Sequence, residues 1–500
     1  MEKLSRNLFP DIPQYPEKVL QFGEGNFLRA FADWQIDVMN QQTEFNGSVV
    51  AVQPRGQGKT EKLNQQDGLY TLFLMGMKDG KAVKEHRVIS SISRGIDLFN
   101  HYNEYMELAH NPHLRFVISN TTEAGVVFDP DDRLEDRPQK CFPAKLTAFL
   151  YERFRAFSGA NSKGLIVLPC ELIEKNGDLL KKYILQYAAV WQLGEGFTQW
   201  IEEANTFCNT MVDRIVPGFP VDSADEMTTE LGYLDDYMVM AEHYHLWVIE
   251  GPRWLRDEFP AQQAGMNTLI VDDLTPYRTQ KVRILNGAHT AMTPVAYLYG
   301  LNTVAEAVEH EKTGTYVKEL IDEEIIPALD FPKEELHAFA ADVMDRFRNP
   351  FIQHYLLSIS LNSVSKFKTR NLPTLLEYVE QKQTLPERLV FALGALISFY
   401  RGKRGEEDIP LEDNERVLQF FQEQWALYDG TFPSVLQLVE NILRYEEWAQ
   451  DLNQIPGLTL AVSEALYKIE TNGMKAAIES IKEVNSGLEG DSHDGCYSTK

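Results

Sequence analysis

The 500-residue chain predicts an α/β fold in which an N-terminal, doubly wound parallel sheet precedes an all-helical C-terminal domain. Three observations carry this prediction. In the first part, short apolar and β-branched runs alternate with helical patterns. A glycine turn joins the first such run to the first helix. Past residue 275 the β-rich runs give way to long amphipathic stretches.

The elements follow in order. Lys18 to Phe22 reads as a strand, Gly23-Glu24-Gly25 as a tight turn, and Asn26 to Met39 as a helix. Ser48 to Gln53 is β-branched and closed by Pro54 and Gly56, as expected of a strand buried on both faces. Tyr70 to Met77 and Lys81 to Ile92 flank Asp79-Gly80, a sequence suited to a tight hairpin turn, and read as a hairpin inserted in the sheet's connectivity. Leu114 to Ser119 and Gly164 to Leu168 are two further buried strands. Thr315 to Ile326, Glu334 to Phe347, Glu412 to Leu427 and Ser434 to Trp448 read as amphipathic helices. Leu389 to Tyr400 is the most apolar helix-like run, yet well short of the roughly 20 residues that span a bilayer, so it reads as a core helix. The tail from Ser486 to Lys500 is polar and aperiodic, and is expected to be mobile.

Composition excludes several classes of function. The formal net charge of −26 disfavours nucleic acid, whose binding depends on clustered Lys and Arg. Cys141, Cys170, Cys208 and Cys496 form no CxxC pair or disulfide framework, and the N-terminus lacks an apolar signal core, so a cytoplasmic protein without membrane association is expected. His243 and His245 alternate as on a strand but lack a third nearby His or Cys ligand, so no metal is assigned.

Two segments carry chemistry. The Gly23–Gly25 turn sits where backbone N–H groups and a helix dipole can hold a pyrophosphate. A full dinucleotide fingerprint would place a third glycine at position 28, where this chain has Leu28. The carboxylate expected at the end of the second strand is replaced by Gln53, with Arg55 close by, which leaves NAD and NADP open. The second segment starts at Thr275-Pro276, a strong helix start, and carries Lys281, Asn286 and His289. On an α-helix Asn286 lies roughly 140° and His289 roughly 80° around from Lys281, so the three share an arc with Leu285. From spacing alone this arc fits a solvated lysine and a core histidine as well as it fits a proton donor with hydrogen-bonding partners.

The wording FGEGNFLRAF (22–31), SNTTEAG (119–125), PCELIEKNG (169–177), MVDRIVP (211–217), WVIEGP (247–252) and KVRILNGAH (281–289) resembles the polyol-specific long-chain dehydrogenase/reductase family, which includes mannitol dehydrogenases and hexuronate reductases. The match runs over most of the chain. Its most specific part is a lysine followed by asparagine five residues on and histidine eight residues on. The resemblance implies a Rossmann-type dinucleotide-binding domain (1–274), a helical substrate domain (275–485), a site in the cleft between them, and no metal.

It further implies Lys281, Asn286, His289 and Asn176 as catalytic residues. Gly23, Gly25, Asn26, Phe27, Gln53, Asn120, Thr122 and Glu123 are expected near the cofactor, NAD. Mannitol dehydrogenases usually read CDN where this chain has Cys170-Glu171-Leu172, and tend to be acidic where it has Arg278, so the resemblance favours a hexuronate over an uncharged polyol.

The implied reaction is NADH-dependent reduction of the keto group of tagaturonate; fructuronate and mannitol-type polyols are the alternatives, and a non-catalytic NAD-binding protein a remote one. A carboxylate substrate requires local cations, expected at Lys366, Lys368 and Arg370, with His354 as a further candidate. A free lysine titrates near about 10.4, so Lys281 needs its surroundings, with Arg278 and Arg283 nearby in sequence, to lower that value. Asp213 beside Arg214 reads as a structural ion pair. The expected assembly is a monomer or weak homodimer.

Overall fold

The computed structural model describes residues 1–481 apart from 57, 79 and 122, and of 78 and 123 only the backbone. The chain divides into two compact units: Met1–Thr279 with Asn349–Ile352, and Gln280–Arg348 with Gln353–Lys500. The tail expected to be mobile lies outside the described residues.

The first unit is built on a parallel sheet. Its strands are β1 (Glu17–Phe22), β2 (Ser48–Gln53), β3 (Tyr70–Lys78), β4 (Lys81–Ile89), β5 (Ile92–Asp97), β6 (Phe116–Ser119), β7 (Ile166–Pro169), β8 (Thr206–Phe207), β9 (Asn209–Asp213), β10 (Val239–Ala241), β11 (Leu246–Glu250) and β12 (Thr268–Val271). Six of them form one sheet in the order β5-β2-β1-β6-β7-β8, every pair parallel. This is the doubly wound order that reverses between β1 and β6. Alternate side chains serve two cores: Val19, Val49, Ala51, Phe116 and Ile118 pack on one face, and Leu20, Phe22, Val50, Val52 and Val117 on the other. That two-sided burial is why these strands read as unbroken apolar runs.

The hairpin β3–β4 belongs to a separate three-stranded sheet with β10, and β9, β11 and β12 form another. One boundary differs from the sequence reading. The second hairpin strand ends at Ile89 and Ile92 begins β5, an edge strand of the main sheet. The break falls at two serines held by a buried helix: Ser90 N–H and Oγ donate to Asp37 Oδ1, and Ser91 Oγ to the Asp33 carbonyl. Strands β8 to β12 were not individually anticipated, because each is short and lies at a sheet edge or in mixed or irregular surroundings.

The second unit is helical, with one two-residue ladder, Lys403–Arg404 against Glu407–Asp408, among the described residues. Helix Glu387–Phe399 is buried from Arg388 to Phe399 and forms the centre of the unit, as its predominantly apolar sequence requires. Helices Lys333–Phe347, Glu415–Trp425 and Phe432–Leu443 lie within two or three residues of their expected starts. The expected helix 315–326 is instead an α-helix Glu311–Glu319 that widens into a π-helical stretch over Leu320–Ile325. No helix of the described residues is long and apolar enough to cross a membrane.

Candidate functional site

In the first unit, the carboxyl ends of β1 and β6 meet where the strand order reverses, the place where doubly wound sheets collect ligands. Gly23 N–H donates to Val52 O (2.9 Å) and Asn120 N–H to Phe22 O (3.0 Å), which ties three strand ends together. Gly23 takes φ +122°, and a Cβ there would lie 3.3 Å from Asn120 O and 3.2 Å from Leu28 Cδ1. Leu28, standing where the fingerprint has its third glycine, fills the space under the turn.

Gly25 precedes the helical run from Asn26 to Gln42. No side chain caps that helix end, and a Cβ on Gly25 would meet nothing within 4 Å. Uncapped first-turn N–H groups beside open space suit a pyrophosphate, so the residues present fit a dinucleotide.

The other expected cofactor residues divide. Asn26 is exposed at the turn, with its Oδ1 accepting from Arg29 (2.6 Å), and Asn120 sits half-buried at the strand end. Phe27 is half-buried and stacks on Phe31 (centroids 5.0 Å, 19°), so its ring serves the core. Gln53 caps the next helix: Oε1 accepts from the N–H groups of Lys59 (3.1 Å) and Thr60 (3.4 Å), while Nε2 donates to Arg55 O (2.9 Å). Its amide is engaged within the loop instead of reaching out to a ribose. Thr122 and the Glu123 side chain lie outside the described residues.

Asn176 is a correction. Its side chain is 1% exposed, with Nδ2 facing the carbonyls of Pro169 (3.0 Å), Glu171 (3.0 Å) and Thr210 (3.1 Å). Its Oδ1 accepts from the N–H groups of Gly177 (2.9 Å) and Thr210 (2.8 Å). With both ends saturated by backbone, it locks the loop after β7 and has no donor left for a substrate oxygen. Glu171, named in the sequence only as a departure from the family's CDN and given no site role there, is buried beside it and accepts from Ser119 Oγ (3.0 Å), Thr121 N–H (2.8 Å) and Thr121 Oγ1 (3.1 Å). Burial raises its carboxyl pKa against the pull of those bonds. An acid two residues past a strand end was the available signal.

In the second unit, Lys281 to Asn286 form a π-helical stretch that continues as the α-helix Gly287–Tyr299. A π-turn bonds i to i+5, so Asn286 lies nearer to standing above Lys281 than α-helical arithmetic predicts. Lys281 and Asn286 are half-buried. Arg283 does not crowd the lysine: its guanidinium is bound to Glu377 (2.8 and 3.1 Å) and Thr374 (2.9 Å).

His289 is 8% exposed, its ring 4.3 Å from Phe347 and in T-shaped contact with His354 at 5.1 Å. Its Nε2 has no hydrogen-bond partner among the described residues. Burial first, then His354, Arg346, Arg370 and Lys366, hold it well below the usual imidazole range, so it is neutral. His354 is lowered by burial as well.

Helix Ser363–Arg370 docks on this helix through Asn371 Nδ2, which donates to Gly287 O (2.9 Å). That contact sets Arg370 beside Thr290, with Nη1 to Oγ1 at 3.2 Å. Lys366, one turn earlier, donates to Ile359 O (2.7 Å). Lys368 lies two residues from each, which on a helix sends it to the opposite side, so the expected trio is a pair. Arg346 and Phe347, at the end of helix Lys333–Phe347, complete the surroundings of His289. The sequence reading missed both, because nothing local in an amphipathic helix end marks a residue brought to a distant histidine.

Among the described residues no group of three or more His, Cys, Asp or Glu could hold a metal. His245 accepts from Asn267 N–H at Nε2 (2.9 Å) and faces His243 O at Nδ1 (3.3 Å); burial and Arg214 hold its pKa down to about 3. The guanidinium of Arg214 donates to the carbonyls of Ala30 and Glu242.

Comparison with known proteins agrees with this architecture. The mannitol dehydrogenase Rossmann domain model matches residues 17–262 and the mannitol dehydrogenase C-terminal domain model residues 273–470. An altronate oxidoreductase of Bacillus subtilis (strain 168) is 61% identical over 480 residues, covering 96% of this chain and 98% of the relative. One of Pectobacterium atrosepticum is 50% identical over 486 residues, covering 96% and 99%.

Among solved structures, a substrate-free D-sorbitol dehydrogenase superposes with a TM-score of 0.78 at 23% identity, covering 95% of this chain and all of that one. A Pseudomonas fluorescens mannitol 2-dehydrogenase, solved with NAD and D-mannitol, does so at 0.66 and 23%, covering 96% and 99%. These two show the shared fold. With both domain models matched in order and close relatives along nearly its whole length, the chain belongs to the mannitol dehydrogenase family of oxidoreductases.

Proposed function

We propose that the chain catalyses the NADH-dependent reduction of the keto group of tagaturonate to altronate, and the reverse oxidation. The observation that carries this reading is the gathering of Lys366, Arg370 and the imidazoles of His289 and His354 around the helix that bears Lys281 and Asn286. A substrate carboxylate in a chain of net charge −26 needs local cations, here Lys366 and Arg370, to offset the background. The names of the 61% and 50% identical relatives support an altronate substrate. The reading places the dinucleotide on the glycine turn of residues 1–274 and the substrate on residues 275–485, with NAD preferred to NADP. It takes the protein to be cytoplasmic and a monomer or weak homodimer.

When bound, the reduced nicotinamide supplies a hydride to the keto carbon. Lys281 gives its ammonium proton to the developing alkoxide and is reprotonated from solvent; in the oxidation it accepts that proton. Asn286 donates a hydrogen bond to the same oxygen, an oxyanion contact worth about 3 kcal/mol. The unpartnered Nε2 of His289 meets a substrate hydroxyl. Lys366 and Arg370 hold the carboxylate, and Gly23, Gly25, Asn26 and Asn120 shape the seat of the pyrophosphate.

The test is NADH oxidation with tagaturonate, fructuronate and, in the oxidative direction, mannitol with NAD. Turnover with tagaturonate is expected. Lys281→Ala should lower kcat by about 100-fold or more with NADH binding intact. Arg370→Ala and Lys366→Ala should each raise KM for tagaturonate by about tenfold. Full turnover in Lys281→Ala removes the lysine from the mechanism, and unchanged KM in both cation variants removes the carboxylate site. Turnover with fructuronate or mannitol alone replaces the substrate.

A further inference from the structure

Behind the glycine turn lies a buried polar pair that the proposed chemistry does not use. Gln21, on β1, and Asp33, at the end of the π-helical stretch Arg29–Asp33, are both 0% exposed. Gln21 Nε2 donates to Gly23 O (3.0 Å) and to Asp33 Oδ2 (3.0 Å), which uses both of its protons. Gln21 Oε1 and Asp33 Oδ1 remain, each buried with no partner among the described residues.

Two acceptors without a donor, one of them on a buried anion, are expensive. A single proton on Asp33 Oδ1 removes both defects, because a carboxylic acid and a primary amide pair through two parallel hydrogen bonds. We propose that Asp33 carries this proton, closes an acid–amide pair with Gln21, and is thereby a positioning residue for the glycine turn, so that losing the proton weakens dinucleotide binding.

The surroundings agree. Burial raises the Asp33 carboxyl to about 7, against the opposing pull of Gln21 and Arg29. The nearby cation is turned elsewhere: Arg29 donates to Glu24 O (3.1 Å), Asn26 Oδ1 (2.6 Å) and Tyr237 O. Of the other groups around the pair, Tyr70 donates its hydroxyl to Arg29 O, and Asp37 is supplied by Gln41, Arg87 and Ser90. Asp235 is supplied by Gln66, Thr71 and Tyr237, Glu24 in the turn faces Lys59 at 3.6 Å, and Arg214 binds Ala30 O. Asp33 differs from the neighbouring acids Asp37 and Asp235 in having an oxygen with no donor.

An ionised Asp33 would set a negative charge one side chain behind the seat of an anionic pyrophosphate. By linkage, binding the dinucleotide must then draw the proton onto Asp33. This inference rests on the dinucleotide reading of the glycine turn.

The experiment is the Kd of NADH, followed by its fluorescence from about pH 5.5 to about 9, for the wild-type chain and for Asp33→Asn. The asparagine amide can donate to Gln21 Oε1 without ever carrying charge. The wild-type Kd is expected to rise about tenfold with pH, the equivalent of one unit of pKa coupling, while Asp33→Asn stays at the acid-limb affinity throughout. Calorimetry of NADH binding near neutrality, in buffers of different ionisation enthalpy, should show net proton uptake by the wild type, and this readout requires no variant to fold. A flat wild-type profile without proton uptake overturns the proposal, as does an Asp33→Asn chain that folds but binds more weakly than the wild-type alkaline limb. No NADH binding at any pH would overturn the dinucleotide reading and this inference together.

Discussion

Asn176 and His289 were both named from short motifs, yet the fold uses them in opposite ways. Asn176 turns both ends of its amide to backbone around the loop after β7. Removing a buried group so engaged leaves several backbone partners unsatisfied. Asn176→Ala is therefore expected to cost about 3 kcal/mol of unfolding free energy, read by chemical denaturation. An unchanged denaturation midpoint would show that the loop does not depend on it. His289 keeps a nitrogen without a hydrogen-bond partner among the described residues, in a neutral ring near Arg346, Lys366 and Arg370, as its proposed contact with a substrate hydroxyl requires. Nothing in PCELIEKNG or KVRILNGAH distinguishes these fates, because the number of backbone groups facing a side chain is a property of tertiary packing. Gln53 gives the same lesson: its place at the end of β2 was legible, while its role as a helix cap depended on the loop path back to Lys59.

At the level of elements, the strands buried on both faces were the most legible, since their composition is the direct consequence of helices covering both sides. Irregular segments were not. The π-helical stretches at Arg29–Asp33, Lys281–Asn286 and Leu320–Ile325 have no composition that separates them from α-helix, yet two of them carry the groups used in the proposals above.

The third π-stretch caps another helix. Glu324 accepts from the N–H groups of Arg388 (2.7 Å) and Leu389 (2.9 Å), the first turn of the central helix, whose N-terminus has Pro386 and no side-chain cap of its own. Glu324→Ala is expected to cost about 2 kcal/mol by exposing those donors to an apolar core, measurable by urea denaturation. Burial also raises the Glu324 carboxyl from 4.5 to about 7. The folded state favours its neutral form, so this contribution to stability is complete below 4.5 and is lost as pH rises through about 7. Comparing the slope of stability with pH in the wild type and Glu324→Gln checks the sign: a steeper fall in the variant would contradict it.

At the scale of the whole molecule, a net charge of −26 with a pI near 4.9 predicts strong retention on an anion exchanger at neutral pH and a solubility minimum near pH 4.9. It also predicts passage through immobilised DNA without binding, and retention there at physiological salt would reveal a basic face that the total charge conceals.

The sequence by itself determined the parallel, doubly wound class of the sheet, the helical character of the second unit and the family, because these follow from periodicity and from motifs a few residues long. Tertiary structure alone decided which candidates are engaged by backbone and which lie together. It moved Asn176 and Gln53 into backbone support, set Arg370 beside Thr290, and brought Arg346 and Phe347 to His289. The physical reason is that a polar side chain's role depends on which donors and acceptors the fold leaves around it, and those partners come from segments tens to hundreds of residues away.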